Sequence, residues 1–114
     1  MSERIDERIM RKICNFKEDE LYYTIQKGFS ILKTEWSPST NIVHAIEALE
    51  CLPKKLTWTV GSGYCSVQGR YAHLLQTGKF LAQRTEKSTC LAICRALLDA
   101  RVLKVVRKAR REKK

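Results

Sequence analysis

This sequence has no apolar run long enough to cross a bilayer: its hydrophobic stretches are a few residues each, against the roughly 20 a spanning helix needs. Its start, Met1-Ser2-Glu3-Arg4-Ile5-Asp6, is charged, with no apolar signal region behind it. A soluble, cytoplasmic protein with no membrane partner is expected. The chemistry of catalysis is also missing. There is no G-x-S-x-G elbow, no glycine-rich phosphate loop ending in Lys-Ser or Lys-Thr, and no H-E-x-x-H pair. His44 and His73 lack evident partners in the sequence, so structural imidazoles outrank a general base. The expectation is a protein that is not an enzyme and takes no cofactor.

Cysteine is present but unpaired in pattern. Cys14, Cys51, Cys65, Cys90 and Cys94 are an odd number without a disulfide framework, and no C-x-x-C knuckle with a second ligand pair is present. Cys90 and Cys94 share a helix face at i, i+4, yet buried thiols in a reducing cytosol fit better than a metal site.

What the chain does have is one core and a strong positive charge. With 114 residues and 44% apolar content it is long enough for a single domain. The net charge is +10, of which residues 104–114 carry +6 through Lys104, Arg107, Lys108, Arg110, Arg111, Lys113 and Lys114 against Glu112. The expected organisation is a domain over 1–103 and a basic tail over 104–114, read as a helix end or disordered arm that neutralises phosphates or simply solubilises.

Periodicity sets the elements. Ile5, Ile9 and Ile13 recur at i, i+4, i+8 among charged residues, a narrow stripe on an N-terminal helix. Leu21, Ile25, Phe29 and Leu32 repeat the spacing and predict a second helix, although Tyr22, Tyr23 and Thr24 are compatible with a strand. Trp36 to Asn41 is loop and cap chemistry around Pro38, with Ser39 or Thr40 as the N-cap. Ile42, Val43, Ile46 and Leu49 then form one face of a helix that ends near Cys51, before Pro53. Leu56, Trp58 and Val60 alternate with Thr57 and Thr59 as a strand. Gly61-Ser62-Gly63 predicts a tight reversal into a strand over 64–68, and a third strand lies within 71–84, with Gly78 as turn or bulge. Residues 85–88 cap a last helix carrying Leu91, Cys94, Leu97, Leu98 and Val102. The fold class is α+β: a helix, a three-stranded antiparallel sheet and a helix in a small sandwich, with extra N-terminal helices.

Four segments carry a family resemblance: Glu3-Arg4-Ile5-Asp6-Glu7-Arg8-Ile9-Met10, Trp36-Ser37-Pro38-Ser39-Thr40-Asn41-Ile42, Leu56-Thr57-Trp58 and Leu91-Ala92-Ile93-Cys94-Arg95-Ala96-Leu97-Leu98. Over most of residues 3 to 100 the chain resembles small bacteriophage proteins with the phage ABA-sandwich domain. The resemblance implies a helix-sheet-helix sandwich, phage or prophage origin and therefore the host bacterial cytoplasm. It supplies no catalytic residues. Residues 15–34 and the basic tail depart from the family pattern. The same element order occurs in double-stranded RNA-binding domains, but their clustered lysines at the start of the last helix are absent here.

The leading functional expectation is a non-enzymatic binder of an anionic partner: nucleic acid, a nucleotide or an acidic host-protein surface. Its candidate residues are the tail cations with Lys54, Lys55, Arg70, Lys79 and Arg84, expected to converge at one edge of the sheet. The alternative is an inhibitor that blocks a host defence by protein contact, or sequesters a signalling nucleotide as a homo-oligomer through the N-terminal helix. Trp36, Tyr64 and Tyr71 are candidates for stacking on bases or a partner, against the plainer reading of core and rim packing.

Overall fold

The computed structural model describes residues 4–25, 29–64 and 67–112. Helix α1 (Ile5–Ile9) continues into a π-helical turn, Met10–Cys14, that ends at Asn15 in the left-handed conformation (φ 53°). The stripe explains this widening. Apolar residues every four positions drift around an α-helix of 3.6 residues per turn, and a wider turn brings Ile13 back beneath Ile9. Ile9 and Ile13 are buried in the protein's own core, so this helix is not a spare element waiting for a second subunit.

The expected second helix is a sheet. The described residues of this stretch include β1 (Lys17–Glu18), β2 (Tyr22–Thr24) and β3 (Ser30–Leu32), antiparallel in that order. Local chemistry overrides the helical spacing: the Asp19 carboxylate accepts from Leu21 N–H and Tyr22 N–H, fixing a turn, and Tyr22-Tyr23-Thr24 has strand propensity. The α+β class stands, with four α-helices and two three-stranded sheets among the described residues.

Helix α2 (Ile42–Glu50) is capped by Asn41, whose side chain accepts from Val43 N–H and His44 N–H, rather than by Ser39 or Thr40. Its buried face is Ala45, Ala48 and Leu49; Ile42 and Val43 point outward.

The larger sheet is a meander of β4 (Leu56–Tyr64), β5 (Val67–Gln76) and β6 (Lys79–Glu86). The hairpin exists, but Gly61-Ser62-Gly63 is strand rather than turn: pairing continues through Gly61↔Tyr71 and Ser62↔Arg70 to Tyr64↔Val67. Residues 65 and 66, Cys65 among them, lie outside the described residues, as do the side chains of residues 63–68. Gly61 serves a close approach instead. A Cβ there would sit 2.5 Å from the Tyr71 hydroxyl, so the tyrosine ring crosses over the strand where glycine leaves room.

One face of this sheet, with Leu56, Ala72, Leu74 and Ala82, is buried against α3 (Thr89–Leu97). Ser88 caps that helix by accepting from Leu91 N–H. Cys90, Ala92, Ile93, Cys94, Ala96 and Leu97 are buried around most of its circumference, because α3 lies between the sheet and the helices α1, α2 and α4. The last helix is interrupted. Leu98 ends α3, and Asp99 accepts from Arg101 N–H at 2.9 Å to start α4 (Ala100–Glu112). A boundary at residue 103 therefore falls inside α4, and residues 104–112 are helix bound to the core: Val102 is fully buried and Val106 is 3% exposed. Lys113 and Lys114 lie outside the described residues.

Candidate functional site: a polycationic helix and the cleft beside it

Helix α4 has two faces with different tasks. Val102, Val106 and Ala109 follow helical spacing and turn inward, which points Arg101, Lys104, Arg107, Lys108 and Arg111 to solvent. Arg101 pairs with Asp99 at 3.4 Å. Among the described residues Lys104, Arg107, Lys108 and Arg111 form no ion pair, so four exposed charges stand along one helix face without a carboxylate partner. Arg110 is spent differently: its guanidinium reaches back and donates to the Ile13 carbonyl at 3.0 Å, tying α4 to the π-helical turn.

Register decides which strand cations meet. Lys79 pairs with Gln76, which also faces Leu56, so Lys54, Lys55 and Lys79 share one end of the sheet. Arg70 lies toward the other end, opposite Ser62 and Glu86. Arg84 is occupied by Asp99 at 3.4 Å. The expected convergence on one edge is thus divided between two ends. The end with Lys54 and Lys55 is the one that α4 joins, through Lys55 and Glu112 at 3.8 Å.

At that junction an open cleft of about 700 Å³ runs between the π-helical turn, the C-terminus of α2 and α4. Lys17, Lys54, Arg110 and Glu50 line it, with Cys14 and Cys51. Cys14 shares its thiol proton with Cys51, and this hydrogen bond, with burial, pushes the Cys14 pKa far up; the same bond lowers that of Cys51. Cys51 also contacts the Glu47 carbonyl at 3.3 Å. The other described thiols are core. Burial raises Cys90 and pushes Cys94 up to about 12. Among the described residues no three of His, Cys, Asp and Glu come together in a way that would hold a metal ion.

The histidines are committed to neighbours. His44 accepts from Ser37 N–H through Nδ1 at 3.0 Å and stacks on Trp36 with ring centroids 5.2 Å apart; burial holds its pKa below the ordinary value. Trp36 is 1% exposed and belongs to the core, so it is not a stacking surface. Tyr64's side chain is outside what is described. His73 lies between Tyr71 and Phe80 on the sheet face opposite α3, at 4.8 and 5.2 Å between centroids. Sequence reasoning named Tyr71 as a stacking candidate but did not bring His73 and Phe80 beside it, because Phe80 reaches the face only through a bulge.

The class defined by these features is a small α+β protein, with helices on one face of an antiparallel meander and a polycationic final helix packed into its core. The fold is that of a phage protein from Bacillus cereus ATCC 14579, whose solved structure aligns with a TM-score of 0.58 at 17% sequence identity, over 86% of this chain and 89% of that one. At that identity the likeness is one of fold. No protein-family model and no curated protein matches the sequence. Among the described residues, no helix is long and apolar enough to cross a membrane.

Proposed function

We propose that this is a non-enzymatic binding protein of phage or prophage origin that engages an anionic partner in the bacterial cytoplasm, with nucleic acid ahead of a nucleotide or an acidic protein surface. The observation that carries the reading is the solvent face of α4, where Lys104, Arg107, Lys108 and Arg111 stand unpaired among the described residues while Val102 and Val106 anchor the helix. A rigid row of cations neutralises successive phosphates without first paying the entropy of ordering an arm. The phage source of the similar fold, together with the ABA-sandwich resemblance of the sequence, supports the origin.

The test is fluorescence anisotropy of labelled DNA and RNA across a salt series, with the wild type and a Lys104→Gln, Arg107→Gln, Lys108→Gln, Arg111→Gln variant. Substitution is preferable to truncation, because cutting the chain at residue 103 would also remove the buried Val106. Loss of four phosphate contacts lowers the slope of log K against log salt by about 3, at 0.7 to 0.9 per contact. Unchanged affinity and slope in the variant would refute the reading.

A second reading, contact with a host protein or with another copy, is favoured by Leu21, Tyr22 and Phe29 at the small sheet, which are 62%, 40% and 72% exposed. The cleft with Lys17, Lys54 and Arg110 favours its nucleotide-sequestering form. Sedimentation with and without a nucleotide separates these from the polynucleotide reading.

A further inference from the structure

The four described cysteines divide into two kinds. Cys90 and Cys94 are 8% and 0% exposed on α3, where a thiol serves as a small apolar filler. Cys14 and Cys51 are only half-buried, and both line the cleft beside α4. They come from separate elements. Cys14 closes the π-helical turn and Cys51 caps the C-terminus of α2, 37 positions further along the chain, and the two elements pack on each other.

Hydrogen bonding holds the two sulfurs together. The Cys14 thiol donates to Cys51, whose own thiol donates to the Glu47 carbonyl at 3.3 Å. Arg110 lines the same cleft, fixed by its bond to the Ile13 carbonyl one residue before Cys14, and its charge favours a thiolate at either sulfur. Burial, Glu47 and the carbonyl end of α2 oppose a charge on Cys51. The bond from Cys14 outweighs them, and the Cys51 thiol lies below its ordinary pKa while Cys14 keeps its proton. The pair therefore has unlike members: a nucleophile at Cys51 and, against it, a protonated thiol at Cys14.

We infer that Cys14 and Cys51 are a redox-active pair, which a peroxide converts to an intramolecular disulfide joining the π-helical turn to the end of α2. The inference goes beyond the anion-binding reading and stands without it. In the first step the Cys51 thiolate attacks one oxygen of hydrogen peroxide, the O–O bond breaks, and hydroxide leaves to take up the proton that Cys51 gave to solvent. Cys51 is then a sulfenic acid. In the second step the Cys14 sulfur attacks the Cys51 sulfur, the S–O bond breaks, and the Cys14 proton leaves with the hydroxide as water. The two sulfurs lose two electrons and the peroxide gains them, giving two waters. A dithiol reductant reverses the bond by exchange.

The experiment treats the reduced full-length chain with a small excess of hydrogen peroxide, counts free thiols after denaturation, and maps tryptic peptides without reduction. The count should fall from five to three, and residues 13–17 should appear linked to residues 34–54, both changes being undone by dithiothreitol. Closing a loop of about 37 residues should raise the melting temperature by about 5–15 °C. Cys14→Ser should stop at a Cys51 sulfenic acid that dimedone traps, and Cys51→Ser should keep all its thiols. Five thiols left in the treated wild type overturn the inference. So does a bond through Cys65, Cys90 or Cys94, a bond between two chains, or oxidation of Cys14 and Cys51 without a link between them. The wild-type arm decides the matter even where a variant fails to fold.

Discussion

Replacing Trp36 tests how much of the fold depends on one side chain. Its ring is 1% exposed, meets Phe16 and Tyr23 edge-on at 5.4 and 6.5 Å, and stacks on His44 within 18° of parallel. Its Nε1–H donates to the Asp6 carbonyl at 2.9 Å. It thereby joins α1, the small sheet and α2. Trp36→Phe keeps most of the ring but removes the donor, at a cost of about 1–3 kcal/mol for a buried group left short of a partner. Trp36→Ala opens a cavity and ends three aromatic contacts. Truncations of this kind cost about 3–5 kcal/mol, and ring pairs add about 0.5–1.5 kcal/mol each beyond their area, so the upper end, about 5 kcal/mol, is expected. Against about 6–17 kcal/mol for a chain of 114 residues, that is roughly 30% of the stability or more. Urea denaturation followed by far-ultraviolet circular dichroism reads it as a fall in midpoint at constant m. A loss below about 1.5 kcal/mol for Trp36→Ala at unchanged m would show that the three segments are held together elsewhere.

Three further outcomes are expected. Burial lowers the His44 pKa, and protonation would also place a hydrogen on the Nδ1 that accepts from Ser37, so the unfolded chain binds this proton more readily than the folded one. The His44 contribution is therefore complete above the unfolded value near 6.5 and is lost as pH falls from there through the folded pKa; the stability gap between wild type and His44→Gln should be wider at pH 7.5 than at pH 5, and an equal gap refutes the assignment. Gly69 holds φ at +143° with a virtual Cβ 3.1 Å from the Glu86 carbonyl, so Gly69→Ala should cost about 1–3 kcal/mol in chemical denaturation, whereas a neutral change would contradict the strain. Asp99→Ala removes the cap of α4 and the partner of Arg84; a loss of about 0.5–2 kcal/mol is expected, and a melting temperature equal to wild type would mean that α4 is started by something else.

The legible parts of the fold were those written locally. Ile9 and Ile13, the alternation of Leu56 to Val60, and Pro53 after α2 each announce their element within a few residues. The second helix failed because apolar spacing at 21–32 fits a helix, while the Asp19 turn and the Tyr-Tyr-Thr run that defeat it are weaker signals. Gly61 reads as a turn residue in any sequence. Its actual service to Tyr71, across the strand pair, cannot be seen before the register is known. Asp6 looked like one more surface acid; it is 8% exposed and accepts from Ser39 N–H at 2.8 Å, a contact spanning 33 residues. The cations of the candidate site were found by composition, but their division between two sheet ends follows from pairing. For α4 a signal was available: Val102, Val106 and Ala109 continue an apolar stripe through the basic block, and the density of charge obscured it.

The Ile13 to Arg110 bond joins residues 97 apart in sequence. At about 5–20 residues per second of synthesis, the N-terminal stripe waits about 5–20 s for the segment that completes its surroundings. Contacts of such span also slow folding once the chain is whole, because the loop must close before they reward it. The helix that bears the cations is thus the last to reach the core. A nascent chain carries neither the finished core nor the charged face, so the two are acquired in one late event.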